Sequence, residues 1–340
     1  MTEIAALVQE SDFHSIWMVD SMTEGKEKVS VYIVATHDKS SAAFVDVGSA
    51  LGVPRLMSAL QELSIAPTAV RWIFLTHIHC DHFAGAWALL ENLPNATIAV
   101  HPAGAYHVQD PSLISAAYVG LVGEDRFRKH YGSVRPVPAE RIHAALNDEQ
   151  FALGADGRLS MRAMHSPGHA PHHTHYALTV TGAPVGTELR HPVLTPTAGP
   201  LPPTGVAAVF PGDGFAACYQ NMHKVGPRAA PVFFPQITTP FDVGAFRAGV
   251  DMVGRLEPAA LLLPHYGMVP WQADHPAKVH KTLDRLLALV PLTDPAPDVQ
   301  DLQMEMLCMV PAAARSETLM EDFEVVAHGL QAWHAQNKRK

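Results

Sequence analysis

Four side chains of metal-ligand type stand within six residues. Thr76-His77-Ile78-His79-Cys80-Asp81-His82 carries the order His-x-His-x-Asp-His. Imidazole and carboxylate donors suit Zn, Fe, Mn or Co. His77 and His79 are two apart, so in an extended segment their side chains leave on the same face. Asp81 and His82 come where a helix begins and are free to face a second ion. The cluster follows directly on Trp72-Ile73-Phe74-Leu75-Thr76, an apolar run that reads as a strand buried on both faces. A chance cluster of surface histidines gives no reason for that placement.

Three more ligand-type residues each follow a run that reads as a strand. His169 lies in Ser166-Pro167-Gly168-His169, Asp213 in Phe210-Pro211-Gly212-Asp213-Gly214, and His265 in Leu263-Pro264-His265-Tyr266-Gly267. Each alone is more easily structural. Together with the six-residue cluster they form a set, because open α/β sheets gather their sites at the C-terminal ends of strands. Cys80 reads as a filler between two of these positions. His175 belongs to a strand, and His172 or His173 lines a pocket or supports His169.

The elements that must position these residues alternate. Val29–Val34 and Ala42–Val47 read as strands, Pro54–Leu63 as a helix with apolar residues at helical spacing, and Ala96–Val100 as a strand. A helix is expected from Phe83 to Glu91. The segment from about 102 to 138 breaks the rhythm with weakly helical stretches and reads as a helical insertion, a lid or substrate wall. Strands resume at Arg158–Met164 and His175–Val180. Gly182–Gly205, rich in Pro, Gly and Thr, reads as a long loop. Val206–Phe210 and Ala260–Leu263 are strands around a helix at Val243–Leu256, and only helices follow Trp271. The expected organisation is a domain over 1–271 and a helical C-terminal extension over 272–340, a lid or dimer contact.

Composition narrows the function. A net charge of −9 with no basic stripe argues against a nucleic-acid partner. No apolar run approaches the ~20 residues of a membrane span, so no membrane partner is expected. The start lacks the cationic and apolar pattern of a secretory signal, and three cysteines are too few for a disulfide framework. Both features lead to the expectation of a cytoplasmic protein. No G-x-S-x-G elbow is present, so no serine nucleophile is invoked.

In the order Asp46-Val47-Gly48, Thr76–His82, Ser166–His169, Phe210–Gly214 and Leu263–Gly267, the chain resembles the metallo-β-lactamase-fold superfamily of metal-dependent hydrolases. The resemblance covers roughly Val29 to Gly267. It implies an α/β fold, a four-layer αββα sandwich. It also implies a dinuclear site: His77, His79 and His169 on one metal, Asp81, His82 and His265 on the other, and Asp213 bridging. Asp46 would orient a ligand histidine. The cofactors implied are two divalent metal ions, Zn first and Fe or Mn as alternatives.

The activity implied is hydrolysis of a small organic ester, lactone, thioester or amide by a metal-bound hydroxide that Asp81 and Asp213 hold and relieve of its proton. One alternative is an iron-dependent oxygenase or oxidoreductase on the same fold, although the oxygen-reducing branch usually has Glu where this chain has His79. The other is a non-catalytic binding or regulatory protein. The partner expected is a small-molecule substrate, with a homodimer left open. The leaving-group acid is unassigned; Tyr266 is a candidate, with pocket packing as the alternative. Tyr106, Tyr118, Tyr131, Phe215, Tyr219 and Phe241 are candidate walls of an apolar pocket.

Overall fold

The computed structural model describes residues 4–182, 186–189, 197–200, 202, 205–218, 231–291, 295–310 and 317–338. Two sheets stack face to face. The first contains β1 (Ala5–Ser11), β2 (His14–Asp20), β3 (Ser30–Thr36), β4 (Ala42–Val45), β5 (Val70–Phe74), β6 (Thr97–Val100), β7 (Ile142–Ala144), β11 (Gly186–Leu189) and β12 (Thr197–Pro200). Their order is β12-β11-β1-β2-β3-β4-β5-β6-β7. The second contains β8 (Gln150–Ala152), β9 (Leu159–His165), β10 (Thr174–Val180), β13 (Val206–Phe210), β14 (Ala260–Leu263) and β15 (Gly267–Pro270), in the order β15-β14-β13-β10-β9-β8.

Alternation along the strands explains why both faces of the first sheet are covered. On β3, Tyr32 and Val34 join the cluster between the sheets. Val31, Ile33 and Ala35 point the other way, into a second cluster that buries Leu56 and Leu60 of α1 (Val53–Glu62) and Leu89 of α3 (Ala86–Asn92). Two tyrosines tie the layers together through their hydroxyls: Tyr32 donates to Leu263 O at 2.6 Å and Tyr176 to Ala99 O at 3.1 Å. A buried hydroxyl of this kind needs an acceptor, and the facing strand supplies one.

The outer face of the second sheet is covered by α7 (Val243–Leu256), α8 (His275–Ala288), α9 (Val299–Met309) and α10 (Glu317–Asn337). Val250, Leu283, Met306 and Phe323 from these helices sit in the same buried cluster as Val209 and Leu261 of the sheet. The four layers, helices–sheet–sheet–helices, are those expected from the resemblance. Between β6 and β7 the chain leaves the sheet as α4 (Pro102–Gln109), α5 (Ser112–Val122) and α6 (Glu124–Tyr131), the helical insertion. Among the described residues, no helix is long and apolar enough to cross a membrane.

Several elements differ from the sequence reading. Gly182–Gly205 is not wholly a loop: β11 and β12 pair there antiparallel, and β11 docks on β1. Pairing at a sheet edge overrides the poor strand propensity of that stretch. The helix expected from Phe83 to Glu91 is two: α2 (Cys80–Phe83) and α3. The break falls at Gly85, whose N–H bonds Gly48 O at 2.9 Å and whose position leaves no room for a side chain, a Cβ meeting Ser49 O at 2.6 Å. The run Trp72–Thr76 is buried apart from half-buried Trp72, although β5 itself ends at Phe74 and the exposed Arg71 lies just before the run. Its C-terminal half is buried and leads into the histidine cluster.

Candidate metal centre

Sheet topology brings the ligand-type residues to one edge. β4 and β5 run parallel, so Asp46 and the 76–82 segment emerge at the same end. In the second sheet β9 and β13 are both antiparallel to β10, and β14 is parallel to β13. The turns after β9, β13 and β14, carrying His169, Asp213 and His265, therefore also emerge together. A backbone bond from Thr174 N to Thr76 O, 2.7 Å, joins the two sheets there.

All seven residues converge. One ligand atom each from His77, His79, His169 and Asp213 forms a group within 4.8 Å. Asp81, His82, Asp213 and His265 form a second group by the same measure, and Asp213 belongs to both. In the first group, His79 Nδ1 lies 3.0 Å from both His77 Nε2 and His169 Nε2. Asp213 Oδ2 is 3.8 Å from His77 Nε2 and 3.5 Å from His169 Nε2. In the second, Asp81 Oδ2 lies 3.1 Å from His82 Nε2 and 3.3 Å from His265 Nε2. Asp213 reaches His82 Nε2 through Oδ2 at 3.6 Å and His265 Nε2 through Oδ1 at 3.4 Å.

The outward nitrogens explain why the inward ones converge. His169 Nδ1 donates to Gln236 O at 2.8 Å, and His265 Nδ1 to Lys28 O at 2.8 Å. His82 Nδ1 donates to Asp46 Oδ2 at 3.0 Å. His77 Nδ1 donates to Thr76 Oγ1 at 3.1 Å, and that hydroxyl in turn donates a hydrogen bond to Asp46 Oδ2 at 2.9 Å. A proton fixed on the outer nitrogen leaves a lone pair on Nε2, aimed into the centre. Asp46 thus holds His82 directly and His77 through Thr76, the orienting role the resemblance implies for it. Lys28 and Gln236 hold these histidines through their backbone carbonyls, which no side-chain pattern in the sequence could have revealed.

The donor set fits a metal centre. His82 Nε2 and Asp213 Oδ1 are buried and make no hydrogen bond among the described residues. Such orphaned atoms are costly unless something else satisfies them. Burial, reinforced by neighbouring imidazoles, holds His77 and His79 well below the ordinary histidine range. They are therefore neutral donors. Burial alone would raise the carboxyl of Asp81, but the charges of His82 and His265 outweigh it and hold it well below the carboxylate range. Asp213 is lowered in the same way, chiefly by His265 and His82. Burial opposes the protonated form of His265, yet Asp213 and Asp81 push it up to about 9, so without a cation its Nε2 carries a proton that a bound metal would displace.

The remaining histidines have other work. His173 Nε2 accepts from Gly214 N at 3.1 Å, and its Nδ1 donates to Ser166 Oγ at 2.7 Å. It supports the Asp213 turn rather than His169. Gly212 and Gly214 are needed for that approach: a Cβ at Gly212 would stand 2.5 Å from His173 Nε2 and one at Gly214 2.6 Å from His173 Cε1. His175, on β10, donates through Nδ1 to Pro211 O at 2.9 Å on the same turn. Cys80 is buried, and burial followed by the charge of Asp81 pushes its thiol up, so it is no thiolate donor.

A cavity of about 360 Å³ opens on His79, Asp81, Asp213 and His265. Tyr118 of α5 and Tyr131 of α6 line it, together with Glu24, Lys28 and Gln236. Tyr131 donates a hydrogen bond to Glu24. Tyr106, Phe215 and Phe241 do not line it. Tyr106 is exposed, Phe215 lies in the core, and Phe241 packs on Phe246. Tyr219 lies outside the described residues. Tyr266 is buried near Asp20, Glu27 and Arg55 and is not among the residues that line the cavity.

Comparison with known proteins agrees with this geometry. Residues 25–182 match the family model of the metallo-beta-lactamase superfamily. An archaeal metallo-beta-lactamase superfamily protein from Sulfolobus tokodaii has a similar structure, with a TM-score of 0.54 at 16% identity over 90% of this chain and 93% of that one. A subclass B3 metallo-beta-lactamase of Bradyrhizobium japonicum gives a TM-score of 0.51 at 15% identity, covering 84% of this chain and 96% of that one. These likenesses concern the fold. Among curated sequences, hydroxyacylglutathione hydrolase 1 of Vibrio vulnificus is 35% identical over 80 residues, 24% of this chain and 30% of that protein. A probable metallo-hydrolase of Burkholderia pseudomallei is 30% identical over 158 residues, 46% of this chain and 47% of that protein. The match thus spans less than half the length of either relative. Residues 25–182 thus match a metallo-beta-lactamase superfamily domain, and the chain shares its fold with solved structures of that kind.

Proposed function

We propose that this protein is a dinuclear metal-dependent hydrolase acting on a small organic ester, lactone, thioester or amide. The observation that carries the reading is Asp213, one buried carboxylate shared by two four-residue donor groups. His77, His79 and His169 would hold one ion, Asp81, His82 and His265 the other, and Asp213 both. Two divalent ions, Zn in the first instance, would lower the pKa of a water to about 7 and polarise the scissile oxygen.

The chain's own residues do the rest. Asp81 and Asp213 are held ionised by their histidine neighbours, so each offers an acceptor for a water proton. In an ester, the water oxygen bonds to the carbonyl carbon and the C–O bond to the leaving group breaks. One water proton ends on the leaving oxygen and the other in solvent. The buried walls of the centre exclude bulk water, which strengthens each charge interaction there. The word hydrolase in the names of both curated relatives supports the reading. Three free cysteines fit a cytoplasmic setting.

Elemental analysis with a screen of ester, lactone, thioester and amide substrates tests it. The proposal expects close to two transition-metal ions per chain and turnover that Asp213→Ala abolishes. Substrate-dependent oxygen uptake without hydrolysis would overturn it in favour of iron chemistry.

A further inference from the structure

The cavity over the centre has a wall that the hydrolytic chemistry does not use. Helix α5, Ser-Leu-Ile-Ser-Ala-Ala-Tyr-Val-Gly-Leu-Val, contains no Asp, Glu, Lys, Arg or His, and none of its residues is fully buried. A helix so apolar on all faces ordinarily lies inside a core. Here it stands over the metal centre, with Ile114, Ala117, Leu121 and Val122 on the cavity. Across from it, Val325 and Gly329 of α10 form the facing wall. Leu121 both lines the cavity and is 54% exposed, and Leu113 on the same helix is 62% exposed. Apolar side chains therefore line one part of the cavity from the reacting centre toward solvent, beside the polar Arg126, His130 and His328 that also line it. Exposed leucines placed this way mark a binding surface.

We propose that the substrate is amphipathic. Its reactive carbonyl sits at Asp81, Asp213 and His265, and an apolar acyl tail runs out between α5 and α10. The polar end of the cavity and its apolar end are thereby matched to the two ends of one molecule. Arg126 of α6 and Glu324 of α10 lie 3.5 Å apart, both partly exposed, where the two helices approach. The substrate class rests on the hydrolase reading, whereas the tail channel stands on the walls alone.

The test is a chain-length series on the metal-loaded enzyme: para-nitrophenyl acetate, butyrate, octanoate and dodecanoate. Each methylene taken out of water should raise kcat/KM, by about fourfold at full burial, until the channel is full. Ala117→Trp should lower the octanoate-to-acetate ratio by about tenfold or more, while Leu146→Ser, at an exposed leucine away from the cavity, should leave the ratio unchanged. A second arm needs no turnover. Dodecanoate should displace an apolar fluorescent dye from the wild-type protein and not from Ala117→Trp. Displacement without hydrolysis of any ester would keep the tail site and refute the hydrolase reading. An active enzyme with a flat chain-length profile, or wild-type protein from which dodecanoate displaces no dye, would overturn the tail site.

Discussion

Asp46 Oδ2 lies 3.0 Å from His82 Nδ1, and the same carboxylate accepts from both the backbone N–H and the hydroxyl of Thr76. Asp46 itself sits at φ +57°, a conformation that L-residues seldom adopt. One buried side chain thus holds a histidine from each donor group. Asp46→Asn keeps the shape but turns an NH₂ toward His82, forcing its proton onto the inward nitrogen. Metal titration should show the affinity of the second group reduced about 10–100-fold, the usual effect of removing such a support. Unchanged binding at both groups would contradict this role.

His173 is a positioning residue for Asp213. His173→Phe would leave the buried Gly214 N–H only the longer bond to Pro211 O at 3.2 Å and would remove the partner of Ser166 Oγ, a cost of about 0.5–1.5 kcal/mol per bond lost. Urea unfolding should record that loss, and kcat should fall with it because the turn carrying Asp213 loosens. His173→Gln, which keeps an acceptor, should recover part of both. Equal effects from Phe and Gln would argue for packing alone.

The C-terminal helix is seated by a close approach. A Cβ at Gly329 would stand 2.0 Å from Ile237 O, a backbone atom that cannot swing away. Gly329→Ala should lower stability by roughly 1–3 kcal/mol, the range for overpacking, and widen the channel between α5 and α10. Thermal unfolding checks the first effect, and a changed dye affinity checks the second.

His14 gives the fold a pH dependence independent of the metal centre. Its Nδ1 accepts from Ser11 Oγ at 2.8 Å and its Nε2 donates to Gln9 Oε1 at 3.4 Å, so the buried ring is neutral. Burial lowers it from 6.5 to about 4. Between those values the unfolded chain holds a proton that the folded chain does not. The stabilisation is therefore complete above pH 6.5 and is lost as pH falls toward about 4. Its size is roughly 3 kcal/mol. Across that window His14→Gln should show a shallower fall in urea midpoint than the wild type; parallel curves would contradict the assignment.

The convergence of these seven residues is legible in the sequence because side chains able to hold a metal are of few types and these follow runs that read as strands. The supports were less so. Lys28 and Gln236 act through carbonyls, which every residue possesses. His173 was seen as a support, but its target, the Gly212–Gly214 turn, depends on how β10 and β13 pair. The β1–β2 hairpin is not evident in the sequence because its strands bury polar residues, Gln9 bonded across to Ala207 O of the second sheet and His14 bonded to Gln9 within the first. β11 and β12 are strands by virtue of the edge they join.

The central claim is that Asp213 bridges two ions. Anomalous diffraction from crystals of the metal-loaded protein measures this most directly. The account predicts two peaks per chain about 3.5–4 Å apart, one among His77, His79 and His169, the other among Asp81, His82 and His265, with a carboxylate oxygen of Asp213 on each. A single peak, or two peaks that do not share Asp213, would contradict it.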